Sequence, residues 1–325
     1  MPLDVTRLRQ DMDRLAIETW RKIDTGDRQG ITFREDSLTD HNLWVLVRDH
    51  PGLNVHRFNQ SEEKRTGADW EWWIGADSTG WICLRIQAKR NYGISYPRLD
   101  HPGNDDDDYQ YDTLINSCRR DGQYPLHVLY NGWHRRAFGT HDGWPRSARW
   151  LPCTGDFRPP KCRHAHPMHF GCAVVSSFAV RAVHSPGGKN RRLVAPHISN
   201  AKPWSHLFGV VGPFGRFKTD AHELHRGAAT DEWLDWVQSN LDAMAREWQV
   251  GGSRRAGRAS TGSEHPRLSL PPYADAVRHR TVEESVVYQE GMRPAATRVM
   301  VLDAEADDEP EEQSEEIQDP FSLWD

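Results

Sequence analysis

The apolar residues of the first two dozen positions fall at Val5, Leu8, Met12, Leu15, Trp20 and Ile23. That spacing places them on one stripe of a helix. A second helix is predicted in REDSLTDHNLWVLVRDH, where Leu43, Leu46 and Val47 share a face and Pro51 ends it. The period then drops from 3.6 to 2. LNVHRF reads as a short strand, and ADWEWWIG and GWICLRIQAKR as a hairpin across the turn ADSTG. YQYDTLINSCRRDG is a helix opened by the acids Asp105–Asp108 and closed by Gly122, and YPLHVLYNGW is a buried strand. GCAVVSSFAVRAV fits a strand or a short helix. TDEWLDWVQSNLDAMAREWQ is an amphipathic helix with Trp233, Trp236, Val237, Leu241, Met244 and Trp248 on its apolar side.

The order helix, strand, hairpin, helix, strand predicts an α/β sandwich with a mixed central sheet flanked by helices. No Gly-rich phosphate loop follows a strand, which excludes the regular nucleotide-binding folds. From Gly251 the composition turns to Gly, Ser, Arg and Pro, the bias of a linker. The expected organisation is an N-terminal helix packing on the core (1–28), an α/β domain (29–215), a helical C-terminal extension (216–250), and a linker with a mostly disordered acidic tail (251–325).

Chemistry concentrates in the hairpin. Side chains alternate along a strand, so Asp69, Glu71 and Trp73 share one face of the first strand and Trp70, Trp72 and Ile74 the other. In the second strand Gln87 and Lys89 lie with Cys83 and Arg85, opposite Ile82, Leu84 and Ile86. Pairing the strands brings Asp69, Gln87 and Lys89 to one surface near a sheet end. A carboxylate, an amide oxygen and an ammonium suit a Mg2+ (or Mn2+) site for phosphodiester hydrolysis, because Mg2+ prefers oxygen ligands and keeps several waters. The site then wants another carboxylate, and Glu35 on the preceding helix is best placed. An ordinary cross-strand ion pair is the competing reading. Glu63 and Glu71 are expected to be solvated.

The chain has 325 residues, 41 Lys and Arg, 47 Asp and Glu, and a net charge of −6. The segment from Val301 holds 11 acids and no Lys or Arg, so the first 300 positions are net +5. Judging phosphate affinity by overall charge would therefore mislead. Arg135, Arg136, Arg146, Arg149, Arg191 and Arg192 interleave with Trp133 and Trp150 and would track phosphates beside stacked bases. Five cysteines argue against a disulfide framework. Cys153, Cys162, His164, His166, His169 and Cys172 form a second candidate, a Zn2+ site, though they match no standard finger spacing. A Cys–His hydrolase lacks the strand-turn-helix around its nucleophile. No apolar run spans a bilayer and no signal-peptide core is present, so a cytoplasmic protein without membrane contact is expected.

Glu35, Asp69 and Gln87-Ala88-Lys89 together resemble the PD-(D/E)XK restriction-endonuclease-like superfamily, in its Mrr-like branch where Gln replaces the central acid. More narrowly, GADWEWW, LRIQAKR, YPLHVLYNGW, FGCAVVSSFAV and KPWSHLF are similar to an uncharacterised bacterial family placed there; the likeness spans about residues 30–210. The resemblance implies a restriction-endonuclease-like fold and a DNA endonuclease, with RNA as the other substrate polymer and a role in prokaryotic anti-phage defence by analogy. It makes Asp69 the main metal ligand with the Ala88 carbonyl, Gln87 an auxiliary ligand or orienter, Lys89 the water-activating group and Glu35 the completing acid. No Pro precedes the Asp and no second acid precedes the Lys, a departure from the commonest pattern. The alternatives are an inactive nucleic-acid-binding module and a zinc-stabilised interaction protein. The acidic tail would dock in the basic groove or on a protein partner through Phe321, Leu323 and Trp324; self-association into a homo-oligomer stays open.

Overall fold

A computed structural model describes residues 4–59, 61–102, 109–132, 167–184, 191–208, 229–249, 268–289 and 292–305. Helix α1 (Val5–Gln29) starts where the Asp4 side chain accepts from the Arg7 N–H at 2.9 Å, and it stops at Gly30, whose φ of 76° is left-handed. Helix α2 (Glu35–Asp49) follows. Strand β1 (Leu53–Arg57) and the single turn α3 (Glu63–Thr66) lead into the hairpin β2 (Trp70–Ala76) and β3 (Gly80–Arg90). Helix α4 (Gln110–Asp121) returns the chain to β4 (Tyr124–Tyr130). The stretch that pattern alone left ambiguous is both things in turn: β5 (Cys172–Ser176), then α5 (Ser177–Val183), with Ser176 capping the helix. Helix α6 (Val194–Ile198), the two-residue β6 (Lys202–Pro203) and helix α7 (Ala229–Gln249) come next.

The region from 251 was expected to be a linker and mostly disordered tail, and here the structure corrects the sequence reading. Residues 268–305 contain α8 (Pro272–Arg278), α9 (Glu284–Gln289) and β7 (Arg298–Asp303). Strand β7 lies inside the sheet, whose order is β1-β7-β2-β3-β4-β5-β6. It runs antiparallel to β1 and parallel to β2, while β3 and β4 form the other parallel pair. The cause is a short run of strand-forming apolar residues. Val299, Met300, Val301 and Leu302 are fully buried, each worth about 1.5–3 kcal/mol of apolar transfer. The Gly- and Arg-rich composition before them masked the signal. Residues 251–267 and the acidic tail beyond 305 lie outside the described residues.

The mixed sheet is covered on both sides. Trp70, Trp72, Ile74, Ile82, Leu84 and Ile86 face a core shared with α1, α2 and α7. Trp73, Trp81, Cys83, Val299 and Val301 face α8 and α9. The alternation read from the sequence therefore assigns both hairpin faces correctly. The N-terminal helix packs closely on the core: a Cβ at Gly171 would stand 1.8 Å from the Ala16 carbonyl oxygen, so only Gly permits that contact. Among the described residues no helix is long and apolar enough to cross a membrane.

A chain ending at residue 250 lacks β7 and leaves β1 and β2 without their shared partner. It should give no cooperative thermal transition by circular dichroism, whereas a chain ending at residue 305 should melt like the full protein.

Candidate active site

The site begins where two strands part. Strand β3 stays paired with β4 through Arg90 and Tyr130, but β2 begins only at Trp70, opposite Ile86. Residues 87–90 of β3 thus have no β2 partner. Within a strand, the N–H and C=O of one residue project to the same side and alternate between neighbours. The Asn91 N–H donates to the Tyr130 carbonyl, toward β4, so Ala88 and Arg90 turn their backbone groups to the open edge. A buried N–H left unmet there would cost about 1–3 kcal/mol. Two carboxylates meet them instead. Asp69 Oδ2 accepts from the Ala88 N–H at 2.5 Å, and Glu35 Oε1 accepts from the Arg90 N–H at 2.9 Å. By the same alternation the Ala88 carbonyl faces this open edge.

Lys89 projects to one face of the sheet and is buried, and its Nζ donates to Gln110 Oε1 at 3.0 Å, at the first residue of α4. Burial lowers its pKa, opposed by the charges of Asp69 and Glu35. Gln87 is also buried, and both ends of its amide are committed: Nε2 donates to the Gly67 carbonyl and Oε1 accepts from His127 Nε2, each at 2.9 Å. These two bonds fit the role of orienter expected of Gln87. Since a carbonyl oxygen can only accept, His127 must carry its proton on Nε2 and take the Ser177 hydroxyl proton at Nδ1, 2.9 Å away. Burial, then the Lys89 charge, pushes the His127 pKa well down, which keeps the ring neutral. The chain Ser177–His127–Gln87–Gly67 thereby steadies the backbone two residues before Asp69.

Glu35, the first residue of α2, is buried and uses both oxygens: Oε2 accepts from Arg98 Nη1 at 2.9 Å. Glu63 is half-buried and accepts from the Thr297 hydroxyl, so it is not simply solvated. Glu71 overturns the same expectation more completely. It is fully buried, 3.1 Å from Arg85 Nε and 2.8 Å from the Tyr273 hydroxyl, and Arg85 also reaches Asp121 at 2.5 Å. It is a core ion pair across the hairpin, Glu71 opposite Arg85. The carboxyl of Asp69 titrates at about 6, raised from an ordinary 3.8 chiefly by burial and further by Glu63 and Glu35; Lys89 and the Ala88 N–H pull the other way.

Two carboxylates and a backbone carbonyl on one edge form a hard oxygen donor set of the kind Mg2+ and Mn2+ take, with waters completing the shell. The residues present therefore fit the divalent ion that the sequence implied, through Asp69, Glu35 and Ala88. Among the described residues, no three His, Cys, Asp or Glu side chains converge as a ready cage.

The other expected sites fare differently. Cys153, Cys162, His164 and His166 lie outside the described residues. His169 is buried with Nδ1 3.4 Å from Asp13, and Cys172 is a core thiol bonded to Thr19 and Asn42 at 3.4 Å each. Burial pushes the Cys172 pKa up to about 12. Arg135, Arg136, Arg146 and Arg149 fall outside the described residues too. Arg191 and Arg192 are described, and 192–194 zips onto the segment after β3: the Tyr96 N–H donates to the Arg192 carbonyl and the Val194 N–H to the Ile94 carbonyl, each at 2.8 Å. Sequence reasoning missed Arg98, Gln110 and His127. None sits at a spacing that marks it; only the three-dimensional path of β3, β4 and α4 brings them in.

A model of a family of unknown function, DUF6615, matches residues 8–308, and the chain belongs to that family. The match takes in the hairpin, the site and β7. No curated protein matches the chain.

A raised folded-state pKa means that ionising Asp69 costs stability. The cost is absent below pH 4, grows as pH rises from 3.8 to 6, and is complete above 6. Without divalent ions, Asp69→Asn should be more stable than the parent at pH 8, by up to about 3 kcal/mol at 1.36 kcal/mol per pKa unit. The two should converge near pH 4. Denaturant melts at both pH values measure this, and a variant less stable at pH 8 contradicts it.

Proposed function

We propose that this chain is a metal-dependent endonuclease of restriction-endonuclease-like fold that hydrolyses DNA phosphodiester bonds. The observation that carries the reading is the meeting of Asp69 with the Ala88 backbone at the parting of β2 and β3, one residue before a buried Lys89. A bare acid–lysine pair on a solvated strand face would have neither the burial nor the backbone anchor.

Asp69, Glu35 and the Ala88 carbonyl would hold Mg2+ or Mn2+. The bound ion would lower the pKa of a water and offset charge on the phosphorus-bound oxygens. The chain's own residues do the rest. Asp69 is aimed by the Ala88 N–H and by the Gln87–Gly67 bond behind it. Lys89, whose pKa is lowered by burial, would hold the attacking water or a phosphate oxygen once it releases Gln110. Arg191 and Arg192 would contact flanking phosphates. The cytoplasm, anti-phage defence, RNA as substrate, a protein partner and self-association are parts of the proposal that rest on the sequence resemblance and composition alone. An inactive nucleic-acid-binding module is the second reading; the committed bonds of Lys89 and Glu35 are what favour it.

The test is cleavage of supercoiled plasmid, linear duplex, single-stranded DNA and RNA with Mg2+ or Mn2+. The parent should nick DNA, and Asp69→Ala and Lys89→Ala should each lose about 100-fold or more, with melting curves showing that both variants fold. Metal-independent cleavage, or variants as active as the parent, would refute the enzyme reading. Binding without cleavage would favour the second.

A further inference from the structure

Arg98 is not needed to hold its own segment. Tyr96, two residues before it, is fastened by its N–H to the Arg192 carbonyl at 2.8 Å and by its hydroxyl to Asn131, and Leu99 is buried beside it. Yet the Arg98 guanidinium, on a side chain 57% exposed, reaches inward to Glu35 Oε2 at 2.9 Å. The two Glu35 oxygens therefore differ. Oε1 is fixed by the buried Arg90 N–H, whereas Oε2 is held by a partner that solvent can reach.

We propose that Arg98 is an exchangeable counter-charge: it occupies Glu35 before the divalent ion arrives, yields that oxygen to the ion, and then grips a phosphate of the nucleic acid. This rests on the endonuclease reading and adds a residue and a sequence of events to it. A cation ligated by Oε2 competes directly with the guanidinium for the same lone pairs. The released group is a planar fork whose geometry suits phosphate oxygens. Its segment is hydrogen-bonded to that of exposed Arg192, a second cation on the adjoining stretch.

The experiment measures Mn2+ binding by calorimetry without nucleic acid, and separately kcat and KM for duplex cleavage, in the full-length parent, Arg98→Ala and Arg98→Lys. Arg98→Ala should bind Mn2+ about threefold more tightly, the size expected for losing a competing half-exposed ion pair, while its KM for DNA rises about tenfold. Arg98→Lys should recover part of the KM. A merely structural role for Arg98 would weaken Mn2+ binding or leave it alone. Unchanged or weaker Mn2+ affinity in Arg98→Ala, or an unchanged KM, overturns this inference while parent binding and cleavage leave the endonuclease reading standing. A parent that neither binds Mn2+ nor cleaves overturns both.

Discussion

A strand that outruns its neighbour leaves backbone donors that must be satisfied, and this requirement shapes the site. Strand β3 continues past the start of β2, and at the bare edge its Ala88 and Arg90 N–H groups bond to carboxylates rather than to another strand. Placing an acid there meets the hydrogen-bond demand of the fold and, in the same act, collects negative charge beside a backbone carbonyl. Structure and candidate chemistry share one cause.

That solution carries an energetic cost. Asp69, partly buried and beside Glu63 and Glu35, has its pKa raised to about 6. The surroundings tolerate this because the backbone on either side is over-determined. Gln87 pins Gly67 through a buried relay to His127 and Ser177, and Arg298 at the start of β7 pairs with Asp40 at 2.5 Å, tying the strand beside Trp70 to α2.

Much of the arrangement could be read from residue order. Period-two alternation in β2 and β3 assigns Trp70, Trp72 and Ile86 to one core and Trp73 and Cys83 to the other, and the hairpin register brings Asp69 near residues 87–89. Helix α2 with Glu35 is equally visible. Three things were not. β7 is six residues long and sits after a linker-like stretch, so local composition hid a strand placed by partners more than 200 positions away. Glu71 and Glu63 look like solvated acids because nothing in a strand pattern reveals Tyr273 or Thr297 opposite them. The commitment of Gln87 to His127, and of Glu35 to Arg98, depends on side-chain contacts between separate elements, which spacing along one segment cannot encode.

The most direct measurement of the central claim is anomalous diffraction from crystals of the full chain soaked in Mn2+. The account predicts a peak at the open edge of β3, against the Asp69 carboxylate and the Ala88 carbonyl, that disappears in Asp69→Asn. Saturating Mn2+ that gives no peak at that edge, or a peak there that persists unchanged in Asp69→Asn, would contradict it.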